Sequence, residues 1–256
     1  MIKKIFMLFI ILSVAIFAFT GCDGITPSEG EGEGEGEGEG EGEPIPEQVV
    51  LIETFIADGC ASCSVLEPKL EQLADEYGTD QVILVETAVW LKYSTQEGYD
   101  RYKWYFPNSG GTPQTAINGL TYSFAGGTIA YSTLEAQVNA LLAQTPTIGL
   151  TANRTSDTTT TTITGTVTNF SETTTYSNLV VNGITYRDRG GVGFNYNLTD
   201  IFEESKVTIA SLAPGESQTY TITVNDINWD GNQLDGVVFV QSTTGQKPIR
   251  NAQFVD

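Results

Sequence analysis

Residues 50–77 read Val-Leu-Ile-Glu-Thr-Phe-Ile-Ala-Asp-Gly-Cys-Ala-Ser-Cys-Ser-Val-Leu-Glu-Pro-Lys-Leu-Glu-Gln-Leu-Ala-Asp-Glu-Tyr. The run from Val49 to Ile56 is apolar and β-branched, which suits a buried strand. Asp58-Gly59 then turns the chain into Cys60-Ala61-Ser62-Cys63. Leu66, Leu70, Leu73 and Tyr77 follow at spacings of 4, 3 and 4, the spacing of one helix face, and Gly78 is placed to end that helix. A second apolar run, Val82 to Ala88, predicts another buried strand. Strand, dithiol, helix and strand make one βαβ unit, a context in which Cys-x-x-Cys reads as redox chemistry.

The spacing has a chemical logic. Cys60 falls at the N-terminal end of the helix, where unsatisfied N–H groups and the helix dipole favour a thiolate. Cys63 lies one turn on, within reach of a mixed disulfide formed at Cys60. These are the candidate catalytic residues, one the attacker and the other the resolver. Three other readings compete. A zinc site normally needs four ligands, and two thiols without a histidine in the chain do not supply them. A structural disulfide across two residues closes too small a loop to stabilise much. An inert scaffold carrying the same motif is the third.

Composition narrows the function further. The chain has 256 residues, with 32 Asp+Glu against 12 Lys+Arg and no histidine. Such a charge argues against a nucleic-acid partner, which needs clustered Lys and Arg. Without histidine there is no Ser-His-Asp or Cys-His nucleophile pair and no imidazole ligand. Neither a cofactor nor a metal site is expected. Asp226-Ile-Asn228-Trp-Asp230-Gly-Asn232 matches the first half of a calcium loop, but its twelfth position is Val237, so a polar β-turn is expected instead.

Met1-Ile-Lys-Lys, the apolar run Ile5–Phe19 and Thr20-Gly21-Cys22 make a secretory signal. Thr20-Gly21-Cys22 resembles the bacterial lipobox, which implies cleavage before Cys22 and lipidation of its thiol. The expected location is the cell envelope, extracytoplasmic and lipid-anchored. From Ser28 the chain alternates Glu and Gly as far as Glu43, a composition that buries nothing and spaces the folded part from the membrane. The expected organisation is a signal peptide over 1–21, a linker over 22–47, an α/β domain over 48–145 and an all-β sandwich over 146–256. The sandwich expectation rests on short β-rich runs such as Thr160–Thr168, Leu179–Tyr186 and Ser217–Val224, separated by turns such as Ala213-Pro-Gly-Glu216.

Over residues 48–144 the chain resembles the thioredoxin superfamily. Cys60 to Tyr77, with Pro68 inside, is similar to that family's active-site helix, and Gly110-Gly-Thr-Pro-Gln-Thr-Ala-Ile-Asn-Gly119 to its cis-proline segment. The resemblance implies an α/β thioredoxin-like fold followed by an immunoglobulin- or fibronectin-like sandwich. It implies that Pro113 is cis and lies beside the dithiol, and that Thr112 and Pro113 bind an extended substrate peptide. The family's buried acid aligns with Thr54, which cannot take a proton. Glu53 should face the other side of its strand, which leaves Glu86 on the adjacent strand as the candidate proton acceptor. Trp90, Tyr93, Tyr99, Tyr102, Trp104, Tyr105 and Phe106 read as local core.

The expected function is therefore thiol–disulfide oxidoreduction on protein or peptide thiols outside the cytoplasm. A reductase there would need a membrane electron-transfer partner. The alternative is a non-catalytic surface-binding or adhesion lipoprotein with a vestigial thioredoxin-like scaffold.

Overall fold

The structure is a computed structural model that describes residues 47–190 and 194–255. The expected signal peptide, Cys22 and the linker through Pro46 lie outside the described residues. β1 (Val50–Ala57), α1 (Cys63–Tyr77) and β2 (Val82–Trp90) form on the segments that the pattern of residues 50–90 predicts. α2 (Gln96–Tyr105) follows, capped by the Thr95 hydroxyl, which accepts the Gly98 N–H at 3.0 Å. β3 (Gln114–Ile117), β4 (Tyr122–Ala125) and α3 (Tyr131–Leu142) complete the first half. The second half is all strand: β5 (Ile148–Leu150), β6 (Asn153–Ser156), β7 (Thr160–Asn169), β8 (Tyr176–Arg187), β9 (Asn197–Ile201), β10 (Val207–Leu212), β11 (Ser217–Asn225), β12 (Asp235–Ser242) and β13 (Ile249–Val255).

β1 pairs parallel with β2 and antiparallel with β3. Leu66, Leu70 and Leu73 of α1, with Leu134 and Val138 of α3, cover one face of this region over Val50, Ile52 and Leu84. Tyr102 and Tyr105 of α2 cover the other face, against Phe55 and Ala116. The sheet does not stop there. β9 pairs parallel with the outer edge of β2, with Asn197 opposite Glu86, and then antiparallel with β8. The resulting order is β13-β12-β8-β9-β2-β1-β3-β4, with β10 also on β8. The sheet curls until β13 returns to β1: the Val49 N–H donates to Asn251 Oδ1 at 3.1 Å, and the Ile249 N–H to the Asn118 carbonyl at 3.3 Å. Leu51, Ile83 and Val85 meet Ile184, Val237 and Phe239 inside that curl.

The remaining strands, β5, β6, β7 and β11, form a four-stranded sheet. It packs through Ile163, Val167 and Ile222 on Val181, Val238 and Val240, with Trp229 closing the layer. The segment with the calcium-loop pattern is a turn: the Gly231 N–H donates to Asn228 Oδ1 at 2.9 Å, and Asp230 pairs with Arg154 at 3.0 Å.

This corrects the expected fold class. An α/β thioredoxin-like fold followed by a separate immunoglobulin- or fibronectin-like sandwich is not what forms. The described residues build a predominantly β, sandwich-like protein with three short helices. The physical reason is the edge of β2. Its backbone groups need partners, and at Glu86 the segment entering β9, from the second half of the chain, supplies them.

One buried ion pair ties α2 to both halves. The Arg101 guanidinium forks onto both carboxylate oxygens of Glu53 on β1, with Nη2 to Oε2 at 2.8 Å. The Tyr105 hydroxyl donates to Glu53 Oε2 at 2.8 Å, and the Gln241 amide of β12 donates to that hydroxyl at 2.6 Å. Glu53 does face away from α1, as strand alternation requires. Removing one partner would leave the other charge buried and unpaired. Arg101→Met should therefore lower unfolding free energy by about 3–5 kcal/mol, measured by chemical denaturation. A loss below about 1 kcal/mol, the usual worth of an exposed pair, would show that the pair does not hold the halves together.

Candidate functional site

The site begins where β1 ends. Gly59 has φ +70°, a backbone region that favours glycine, and it turns the chain so that the Cys60 N–H reaches the Ala57 carbonyl at 3.3 Å. α1 starts at Cys63 after the N-cap residue Ser62, and the Cys63 N–H donates to the Cys60 carbonyl at 3.0 Å and lies 3.2 Å from Cys60 Sγ. Cys60 and Cys63 form a disulfide, with Cα atoms 5.2 Å apart. The two sulfurs differ in access. Cys63 is 1% exposed and packs on Ile56, Ala88 and Phe194, whereas Cys60 is only partly buried.

Thr112 and Pro113 lie beside this bond. The Thr112 hydroxyl donates to Cys60 Sγ at 3.4 Å, and the Ser62 hydroxyl donates to the Thr112 carbonyl at 3.4 Å. The Thr112–Pro113 peptide is cis, the geometry expected for that segment. A third loop closes against the same turn. A Cβ on Gly127 would overlap the Ser62 carbonyl oxygen, so the close approach depends on glycine there. Lys69 fixes that loop by donating to the Gly127 and Ile129 carbonyls at 2.9 and 2.8 Å.

The acids lie on the side of α1 facing β9. Glu67, Glu71 and Asp75 are four residues apart and make one stripe. The segment just before β9 docks along it. The Phe194 amide hydrogen-bonds to Glu67, the Asn195 amide donates to Glu71 at 3.0 Å, and the Tyr196 hydroxyl donates to Asp75 at 2.7 Å. These donors are neutral and bring no countercharge, and burial raises the proton affinity of Glu67 and Glu71. The candidate acceptor Glu86 is 0% exposed, on the face of β2 that carries Ala88 against Cys63. The Tyr196 N–H donates to its Oε2 at 3.1 Å, and Oε1 has no partner among the described residues. Desolvation, then repulsion from Glu67 and Glu71, push its pKa up to about 8 despite that hydrogen bond. Thr54, at the position of the family's acid, is buried and shares a hydrogen bond with Thr115 at 2.9 Å.

A cavity of about 560 Å³ opens between these groups, lined by Asp58, Cys60, Glu67, Glu71, Phe194 and Asn195 among others. The structure thus brings Cys60, Cys63, Thr112 and Pro113 together and sets Glu86 deeper beneath α1. Sequence reading did not single out Glu67, Glu71 or the 194–196 segment. Glu67 was legible in principle, four residues after Cys63 on one helix face. Phe194 and Asn195 carried no signal, because their place depends on a strand pairing 110 residues away in sequence.

The fold and site define a mostly β protein with a disulfide at a helix N-terminus beside an acidic cavity. No protein-family model matches the chain, and no curated protein does. It superposes on HBP35 of Porphyromonas gingivalis with a TM-score of 0.62 and 13% identity, covering 82% of this chain and 75% of that one. That likeness shows the fold alone. A β-glucosidase from Kluyveromyces marxianus matches at TM-score 0.28 and 18% identity, over 43% of this chain and 14% of its own length. The resemblance to the thioredoxin superfamily is therefore corrected. The protein is 44% strand and 18% helix, and HBP35, over which 82% of it superposes, is not a thioredoxin. Its grouping with thioredoxin-type oxidoreductases goes with that resemblance, and the Cys60–Cys63 disulfide is what remains of it.

The elevated Glu86 pKa has a consequence for stability. Between its ordinary value of 4.5 and about 8, the folded protein holds a proton that the unfolded chain has released. Stability contributed by this group is therefore lost as pH rises through that window. Glu86→Gln removes the titration, so the variant should gain stability relative to the parent on going from about pH 5 to about pH 8. Thermal denaturation at the two pH values checks this, and parallel pH profiles would contradict it.

Proposed function

We propose that this protein carries out thiol–disulfide exchange with protein or peptide thiols through Cys60 and Cys63. The observation that carries the reading is the difference in access between the two sulfurs, with Cys63 1% exposed and Cys60 open to a cavity. An incoming thiolate then has one sulfur to attack, and the buried one is the leaving group. Two features favour negative charge on Cys60 Sγ: the Cys63 N–H at 3.2 Å and the Thr112 hydroxyl at 3.4 Å. Glu86 is a reservoir for the proton that a leaving Cys63 thiolate needs, since its carboxyl titrates near the operating pH of such exchange. A substrate segment that reaches Cys60 from outside the cavity passes beside Thr112, whose hydroxyl lies 3.4 Å from Cys60 Sγ.

The site belongs to the cell envelope in this proposal, held to a membrane by lipid on Cys22. That part rests on the sequence before residue 23. No helix among the described residues is long and apolar enough to cross a membrane.

Cys63→Ser should leave Cys60 free and trap covalent mixed disulfides with partner proteins in the native envelope. Cys60→Ser should trap almost none. Non-reducing electrophoresis after acid quenching reads the result. If neither variant forms adducts, and the Cys60 thiol alkylates no faster than a free cysteine, the exchange reading fails.

A further inference from the structure

The cavity beside the disulfide has a charge that its neighbours do not cancel. Asp58, Glu67 and Glu71 line it together with Cys60. Among the described residues none of the three is in an ion pair. Glu67 is 8% exposed, and its Oε1 has no hydrogen-bond partner among the described residues, so a buried acceptor beside the reactive sulfur waits for a donor. Asp75 and Asp188 raise the proton affinity of Glu71, so acids surround this wall. Lys92 is drawn toward Asp58, but no cation is paired with Glu67 or Glu71 among the described residues. Lys92 and Arg189 sit over the Tyr93 ring at 4.5 and 4.8 Å, and Lys69 is spent on two carbonyls. Phe194 gives the cavity an apolar wall, suited to the methylene stem of a long basic side chain.

We infer that the preferred substrate of the Cys60–Cys63 disulfide is a cysteine flanked by lysine or arginine, its cation held by Glu67 and Glu71 while its sulfur meets Cys60. This rests on the exchange reading above and adds the substrate class. In the step itself, the substrate thiolate attacks Cys60 Sγ and a substrate–Cys60 S–S bond forms. The Cys60–Cys63 bond breaks, and its electron pair leaves on Cys63 Sγ, which takes up a proton. No further oxidant enters this step. A basic flank helps twice: its charge is attracted to the cavity, and it stabilises the approaching thiolate that the acids would otherwise repel.

The test uses the full chain in its oxidised form and three peptides of equal length, with one Cys flanked by Lys, by Ser or by Glu. Rates of disulfide opening are normalised to each peptide's thiolate concentration and to its rate on 2-hydroxyethyl disulfide. At low salt the Lys peptide should react about tenfold faster than the Glu peptide, as expected for two or three carboxylates a few ångströms from the incoming charge. The spread should collapse at about 1 M salt, where the Debye length is about 3 Å. Glu71→Gln and Glu67→Gln should each narrow it, and the salt series needs no variant to fold. If all three peptides open the disulfide at equal normalised rates, the charge inference falls and the exchange reading stands. If none opens it faster than the reference disulfide reacts, both fall.

Discussion

The outer edge of β2 is the constraint on which the rest of the structure depends. β2 is covered on both faces, so its free backbone groups would be stranded without a strand alongside. The Glu86 N–H donates to the Tyr196 carbonyl at 2.8 Å, and the Asn197 side-chain Nδ2 donates to the Glu86 carbonyl at 3.3 Å. That short joint joins a helix-flanked set of strands to a purely β half. It also fixes where Phe194, Asn195 and Tyr196 lie. They are laid along Glu67, Glu71 and Asp75 of α1, and Phe194 packs on Cys63. The fold and the reactive site share this one joint.

The joint also explains the charge of the site. β9 can approach α1 only if something faces the carboxylate stripe, and the chain supplies neutral donors: an amide N–H, an asparagine and a tyrosine. Cations there would have neutralised the acids. Neutral donors hold the segment in place while leaving the field intact; burial first, and that field second, raise the Glu86 pKa, and the acids charge the cavity beside Cys60. The Glu53–Arg101 pair does the opposite work on the other face of β1. There the charges are matched and fully hydrogen-bonded, and they serve packing, not chemistry.

Much of the local structure was legible in the sequence. β1, α1 and β2 follow from a buried apolar run, a 3.6-residue period and a second run, and the Cys60–Cys63 spacing placed the disulfide at the start of α1. The elements that did not announce themselves are those whose polar residues work inside the protein. β9 reads Asn-Leu-Thr-Asp-Ile, and its buried Asn197 bonds backbone, so no apolar period marks it as a strand. β13 carries Asn251, 2% exposed, which accepts the Val49 N–H and donates to the Ile148 carbonyl at 3.2 Å. α2 was hidden by its aromatics, of which Tyr102 and Tyr105 are core and Trp104 stays partly exposed. Two motifs in the first half, read without these strands, suggested a self-contained α/β domain. The pairing of β2 with β9 was the missing fact, and nothing in the neighbourhood of either strand encodes it.

The central claim is that Cys60–Cys63 is an exchanging disulfide and not a fixed brace. Its reduction potential, measured by equilibration against glutathione and dithiothreitol buffers on the full chain, tests this most directly. The account predicts a value between about −120 and −270 mV, the span of pairs that exchange with protein thiols. A value below about −300 mV, where structural disulfides lie, would contradict it.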